Sequence, residues 1–152
     1  LAWLVDRYEL QLESRGMRLA IVSGDEDGRV AIDGLVLRQV AENLVSNAMK
    51  YAPGSVVELS VRNAAPGFRQ LRVEDRGPGI PARRQRELFK PFTRLTEFDP
   101  ADGLSSGLGL SLAKQILEGE GGQLWYEDRE GGGARFVIEL PVAPDDRTQA
   151  SA

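Results

Sequence analysis

Apolar residues recur along this chain with two periods, and the switches between them outline its elements. Leu1, Leu4, Val5, Tyr8 and Leu12 fall at helical spacing, so the first dozen residues predict an amphipathic helix ending near Gly16. That helix reads either as core or as the tail of an upstream linker. Residues 17–22 and 29–32 are short apolar runs around Gly24-Asp25-Glu26-Asp27-Gly28, which predict a hairpin. Asp33 is placed to cap a long helix running to about Tyr51, where Pro53-Gly54 stops it. Leu37, Val40, Ala41, Leu44, Val45 and Ala48 fill one arc of this helix and face the core. Val57, Leu59 and Val61 then alternate with Glu58, Ser60 and Arg62, the signature of a strand with one buried face. Leu71 and Val73 continue the alternation beyond a loop at 63–67, and this second strand runs straight into Asp75-Arg76-Gly77-Pro78-Gly79.

From Pro81 the pattern predicts a short helix reaching Phe89, followed at 91–106 by a mobile loop rich in Pro, Asp, Gly, Thr and Ser. Helical spacing returns from Gly107 to Gly119 through Leu112, Ala113, Ile116 and Leu117, and Gly121-Gly122 ends it. A last hairpin pairs 123–128 with 134–140 across Gly131-Gly132-Gly133, and the tail beyond Pro141 reads as disordered. The sum is an α/β two-layer sandwich: a mixed, mostly antiparallel sheet of about five strands with about three helices on one face. No internal repeat is visible.

Composition narrows the chemistry. With 152 residues, 41% of them apolar, the chain suits one globular domain with one core. Its 19 basic and 23 acidic residues leave a net charge of -4, so there is no basic field to draw nucleic acid or anionic lipid. The sequence contains neither cysteine nor histidine. A disulfide framework, a Cys/His zinc site, a cysteine nucleophile and a Ser-His-Asp triad are all excluded for this chain alone. Carboxylates, amides, hydroxyls and backbone groups remain. No apolar run approaches the roughly 20 residues that span a bilayer, and no signal-peptide pattern is present. The chain opens at Leu1 inside a helical stripe and without an initiator methionine, and is therefore read as a piece of something longer.

Three places carry candidate chemistry. On the long helix Gln39, Asn43, Asn47 and Lys50 form a narrow stripe opposite the apolar arc. Such a stripe is either a solvated face or a site in which an amide oxygen holds Mg²⁺ while Lys50 meets phosphate oxygens. Asparagine is a weak helix former, so two of them in mid-helix favour the second reading. Asp75 ends an apolar strand ahead of Gly77 and Gly79. It is either a turn residue or a buried carboxylate that accepts from the exocyclic amine of adenine, a position at which guanine presents a carbonyl. The two glycines would let backbone approach the base plane. Ser106-Gly107-Leu108-Gly109-Leu110 opens the last helix, either as a tight junction or as free N–H groups facing an anion. Gly77-Pro78-Gly79-Ile80-Pro81-Ala82 also fits the dinucleotide pattern G-x-G-x-x-A, but a Pro-rich loop follows where a parallel βαβ unit is required. No G-x-x-x-x-G-K-[ST] occurs, which excludes a P-loop.

Together these segments resemble the superfamily of gyrase, the large heat-shock chaperones, histidine kinases and MutL-type repair proteins, and within it the ATP-binding domain of bacterial sensor histidine kinases. Asn43-Leu44-Val45-Ser46-Asn47-Ala48-Met49-Lys50-Tyr51 resembles the N box, and Asp75-Arg76-Gly77-Pro78-Gly79-Ile80 the first glycine box. Leu88-Phe89-Lys90-Pro91-Phe92-Thr93-Arg94 resembles the F box and Gly107-Leu108-Gly109-Leu110 the second glycine box. All four stand in the family's order, and the similarity runs from about Asp33 to Pro141.

The resemblance implies the Bergerat ATP-binding fold, with ATP and Mg²⁺ as cofactors. It implies that Asn47 binds Mg²⁺ with Asn43 beside it, that Lys50 and Tyr51 line the phosphate and ribose side, and that Asp75 binds adenine next to Gly77, Gly79 and Ile80. It makes 81–106 an ATP lid anchored by Phe89 and Phe92, with Arg94 as a phosphate contact, and sets Gly107, Leu108, Gly109 and Leu110 along the phosphates. It further implies phosphoryl transfer to a histidine on an upstream dimerisation domain absent from this chain, then a response regulator as partner. The parent protein would be homodimeric and the fragment monomeric, in the cytoplasm, with an inner-membrane anchor elsewhere in the parent as one arrangement. Residues 17–142 would form the catalytic domain. Two departures stand out: Arg76 replaces the usual Asn, and Ser105-Ser106 replaces the usual Gly-rich approach to the second glycine box. A nucleotide-binding module without turnover and an anti-sigma-type serine kinase are the competing readings.

Overall fold

The computed structural model describes residues 2–14, 16–23, 34–52, 54–64, 66–90 and 109–142. Their elements follow in the order α1 (Ala2–Glu13), β1 (Arg18–Ser23), α2 (Gly34–Tyr51), β2 (Val56–Asn63), β3 (Phe68–Asp75), α3 (Ala82–Gln85), α4 (Gly109–Gly119), β4 (Gln123–Asp128) and β5 (Ala134–Pro141). The five strands form one sheet in the order β1-β2-β3-β5-β4. Pairings of β2 with β3, β3 with β5 and β4 with β5 are antiparallel, whereas β1 and β2 run parallel. This is the mixed, mostly antiparallel sandwich that the alternation predicted.

The parallel pair was not predicted. Parallel neighbours need a connection that crosses the face of the sheet, usually a helix, and α2 makes that crossing between β1 and β2. The apolar run at 17–22 pairs with β2, Arg18 opposite Val56 and Ile21 opposite Leu59, and its other side is the edge of the described sheet, which leaves room for the hairpin expected with 29–32. Residues 29–32, and Asp33 as a cap for α2, lie outside the described residues. The helix expected from Pro81 to Phe89 is also shorter. Only Ala82–Gln85 is helical, and Leu88 and Lys90 follow in turns whose N–H groups reach Gln85 O at 3.3 Å and Glu87 O at 3.1 Å. None of the four helical residues is buried, so no packed face extends the turn into a longer helix.

Helices α1, α2 and α4 cover one face of the sheet. Val40, Ala41, Leu44, Val45 and Ala48 of α2 are buried against Val57 and Leu59 of β2, Val73 of β3 and Ile138 of β5. Leu12 and Tyr8 of α1 belong to the same core. Tyr8 also hydrogen-bonds Ser46, and Arg7 pairs with Glu42 at 3.5 Å, so the second half of α1 is fastened to α2 and contributes to the core. The other face of the sheet is polar. There Arg135 bridges Glu74 and Glu127, and Gln70 donates to Glu139 at 2.9 Å. No helix among the described residues is long and apolar enough to cross a membrane.

The antiparallel register does one thing that matters for chemistry. Glu74 of β3 faces Arg135 of β5, so the last residue of β3 sits beside the first residue of β5. The carboxylate of Asp75 is thereby brought to the turn that joins β4 to β5.

Candidate functional site

Asp75 occupies the end of a central strand and is 6% exposed. Its Oδ1 accepts the N–H of Gly77 at 2.9 Å and the N–H of Ala134 at 3.3 Å. Among the described residues no donor is bonded to Oδ2, so the carboxylate is held by one oxygen and offers the other. Burial pushes its pKa above the ordinary 3.8, opposed by the two backbone N–H groups and by the charge of Arg129.

Asp75 lines a cleft together with Asn47, Ala48, Gly79, Ile80, Ala134 and Phe136. The carboxylate at the end of β3 and the amide on α2 thus face a common space. Along α2 the polar stripe sinks toward this space: Gln39 is exposed, Asn43 half-buried, and Asn47 only 4% exposed. At Asn47, therefore, the stripe is not the solvated face that the helical wheel alone allows. Lys50 and Tyr51 fall in the last turn of α2, where the backbone alone is described. Gly109 opens α4, and the side chain of Leu110 enters the core, which leaves only its backbone for a ligand. Phe89 packs on the core with its ring edge-on to Phe136, centroids 6.5 Å apart, and the Lys114 ammonium lies 5.3 Å from its ring centre. Phe92, Arg94, Gly107 and Leu108 lie outside the described residues, as does most of the expected lid.

The glycines also serve the packing of the protein itself. A Cβ on Gly77 would meet Ala52 Cβ at 2.5 Å and Asp75 Oδ1 at 3.2 Å, and one on Gly79 would lie 3.2 Å from Gly133 O. Their lack of side chains is used by the protein's own packing, which brings the end of α2 and the β4–β5 turn against the loop after Asp75. Gly133, expected only as part of a hairpin turn, reaches the site as well. Its φ is +108°, and a Cβ there would overlap the carbonyl oxygen of Asp75. Three consecutive glycines, more than a tight turn needs, were the signal in the sequence that could have found it. Arg129 shapes the same turn by donating to Glu130 O at 3.2 Å and Gly132 O at 3.3 Å. Arg76, where an amide was expected, is exposed and pairs with Glu58 at 2.7 Å.

A wider and more open groove of about 680 Å³ lies along α4 and β4, lined by Lys114, Glu118, Gly121, Gly122, Gln123, Leu124 and Trp125. Its charged groups are already engaged: Lys114 pairs with Glu118 at 3.2 Å and donates to Leu124 O at 3.0 Å. The Asp75 cleft is far smaller, about 10 Å³, but it holds the buried carboxylate and amide and is the better candidate on chemical grounds. A metal fits there only in one way. The described residues contain no group of three or more acidic residues able to cage an ion. One amide oxygen suits Mg²⁺ that takes its other ligands from water and phosphate.

The sheet order, the crossover helix and the cleft at the end of β3 define an ATP-binding α/β sandwich of the kind found in histidine kinase catalytic domains. Residues 32–144 match the family of histidine kinase-, DNA gyrase B- and HSP90-like ATPases, and the chain belongs to that family. It is similar to the sensor protein KdpD of Rathayibacter rathayi, 42% identical over 119 residues that cover 78% of this chain and 14% of that protein. The chain therefore spans about 14% of the length of this relative. Among solved structures it resembles the nucleotide-free catalytic domain of the histidine kinase ThkA, 28% identical, with a TM-score of 0.79 over 92% of this chain and 88% of that one. It also resembles ThkA in complex with the response regulator TrrA, 27% identical, with a TM-score of 0.74 over 96% of this chain and 40% of that one.

Two outcomes follow from the geometry. Gly133→Ala should lower the unfolding free energy by about 3 kcal/mol or more, measured by urea denaturation, because strained φ and a backbone overlap coincide; a loss below about 1 kcal/mol would refute the close approach. Asp75→Asn should leave the melting temperature unchanged or raised at neutral pH. The sign follows from linkage: with the folded pKa raised, the native state binds more protons than the unfolded chain between the two values, and stability falls as pH rises through that window. The Asn variant should lack this fall when melting is followed from acid to neutral pH. A variant that melts well below wild type at neutral pH would show that the ionised carboxylate stabilises the fold.

Proposed function

We propose that this chain is the ATP-binding catalytic domain of a sensor histidine kinase, which transfers the γ-phosphoryl group of ATP to a histidine on a dimerisation domain of the same protein. The observation that carries the reading is the convergence of Asp75 and Asn47 on one cleft. In this reading Oδ2 of Asp75 accepts from the exocyclic amine of adenine, while Gly77 and Ala134 hold Oδ1. Guanine would set a carbonyl against the carboxylate and leave two acceptors facing each other. Ile80 and Phe136 form apolar walls for the base.

Asn47 supplies an amide oxygen on the phosphate side, with Asn43 one turn earlier on the same helix face. Mg²⁺ bound with the triphosphate neutralises charge on the phosphate oxygens. Lys50 and Tyr51, in the last turn of α2, line the phosphate and ribose side, and Gly107, Leu108 and Gly109 at the start of α4 offer N–H groups to the phosphate oxygens. Phe89 and Phe92 anchor the lid, and Arg94 reaches the phosphates. The histidine nitrogen attacks the γ-phosphorus, the bond to the bridging oxygen breaks, and ADP leaves. The protein's share of the work is positioning and charge stabilisation.

Several proposals concern the parent protein. The nucleophile comes from outside this chain, which has no histidine. The response regulator seen with ThkA supports a response regulator as the next phosphoryl acceptor here. The parent is a homodimer with this domain in the cytoplasm, and the domain runs from about residue 17 to 142 with a lid at 81–106; the tail beyond it lies outside the described residues.

The isolated chain should bind Mg-ATP yet gain no acid-labile phosphate from [γ-³²P]ATP. Joined to its histidine-bearing domain it should become labelled, and Asn47→Ala should reduce that labelling at least tenfold. Full labelling of the Asn47→Ala protein would remove Asn47 from the site. ATP binding without any labelling of the joined protein would favour a binding module without turnover.

A further inference from the structure

Ile80 is gripped at both ends of its backbone by groups that the nucleotide reading does not use. Its N–H donates to Tyr126 Oη at 3.1 Å, and its carbonyl accepts from Gln85 Nε2 at 2.7 Å. The two gripping side chains meet on one oxygen. Tyr126 Oη donates to Asp128 Oδ1 at 3.0 Å, and Gln85 Nε2 donates to the same Oδ1 at 3.0 Å. The ring of Tyr126 also meets Phe136 edge-on, with centroids 5.4 Å apart and planes at 68°. Ile80 and Phe136 both line the cleft that holds Asp75 and Asn47.

We propose that Tyr126, braced by Asp128 and Gln85, is a positioning residue for nucleotide binding: it fixes the loop between Asp75 and Ile80 as one preformed wall of the adenine cleft. The inference rests on the reading of that cleft as the nucleotide site. The loop needs such a brace. Between the Asp75–Gly77 hydrogen bond and the first turn of α3 it contains no regular secondary structure, and Gly79 adopts a φ of +74°. Two glycines in three residues leave many conformations open, so a fixed loop must be held from outside. The β4–β5 hairpin supplies that hold, because Gly133 and Ala134 close on Asp75 while Tyr126 and Asp128 close on Ile80.

A tyrosine suits this post because its hydroxyl accepts a backbone N–H and donates to a carboxylate at once. Burial, with Asp128 adding to it against the Ile80 hydrogen bond, pushes the phenol pKa up to about 12, so the donor keeps its proton throughout the physiological range. Asp128 and the tip of the β4–β5 turn at Glu130, Gly131 and Gly132 are exposed, which makes the brace a feature that substitutions reach without emptying the core. Preorganisation of this kind improves affinity by removing the ordering that binding would otherwise require.

The test uses the 152-residue chain and calorimetric titration with Mg-ATP. Tyr126→Phe keeps the ring against Phe136 and removes both hydrogen bonds. It should weaken binding about 5- to 20-fold, in line with the loss of a buried hydrogen bond and its ordering. Amide exchange should rise at Ile80 while the amides of central β3 keep their protection, a pattern that general loosening of the fold does not give. Asp128→Ala should reproduce the loss, and Asp128→Asn, which retains the acceptor oxygen, should restore most of the affinity. Asp75→Asn separates the two claims. Loss of binding in Asp75→Asn with wild-type affinity in both Tyr126→Phe and Asp128→Ala overturns the brace alone. Wild-type affinity in Asp75→Asn overturns the nucleotide reading and the brace with it.

Discussion

The candidate site is arranged around a carboxylate buried at a strand end and held, among the described residues, by backbone N–H groups rather than by a directly bonded cation. Two donors on a single oxygen are enough to orient Asp75, yet too few to cancel the effect of burial, which keeps its pKa above the ordinary value. Such a group is a poor stabiliser. It makes sense as a preorganised acceptor, whose second oxygen, bonded to no donor among the described residues, is available to a donor brought by a ligand.

The fold produces this arrangement by topology. The crossover from β1 to β2 sets α2 across the sheet, so that Asn47 comes down beside the end of β3. The antiparallel register of β3 and β5 brings the β4–β5 turn against the same spot. Three segments distant in sequence therefore share one end of the sheet, and the glycines at 77, 79 and 133 allow them to approach as closely as they do. A core that continues through α1, α2 and α4 makes this end a rigid edge of the domain. The elements that surround the cleft are in turn cross-linked by Tyr126, Asp128 and Gln85.

What was legible in the sequence was what local periodicity encodes. The arc from Leu37 to Ala48 gave α2 and its buried face, alternation gave β2 and β3, and the strand-to-glycine junction singled out Asp75. The four boxes in their order then marked the family. What stayed hidden depends on contacts between distant residues. The parallel pairing of β1 could not be read, because local periodicity marks a strand but not the partner thirty-odd residues on that lies beside it. A helix from Pro81 to Phe89 was overdrawn, since propensity alone does not extend a helix with no packed face. Gly133 stood within a predicted turn and Tyr126 within a predicted strand, with nothing local to single them out. Their importance comes from Asp75 and Ile80, which lie about fifty residues earlier and reach them only through the sheet.

The central claim is that the free oxygen of Asp75 reads the exocyclic amine of adenine, and the most direct measurement is the affinity of the chain for ATP against GTP under identical magnesium concentrations. The account predicts that ATP binds more tightly by on the order of 10² or more, the penalty expected when an acceptor must face an acceptor in a buried site. Equal affinities for the two nucleotides would contradict it.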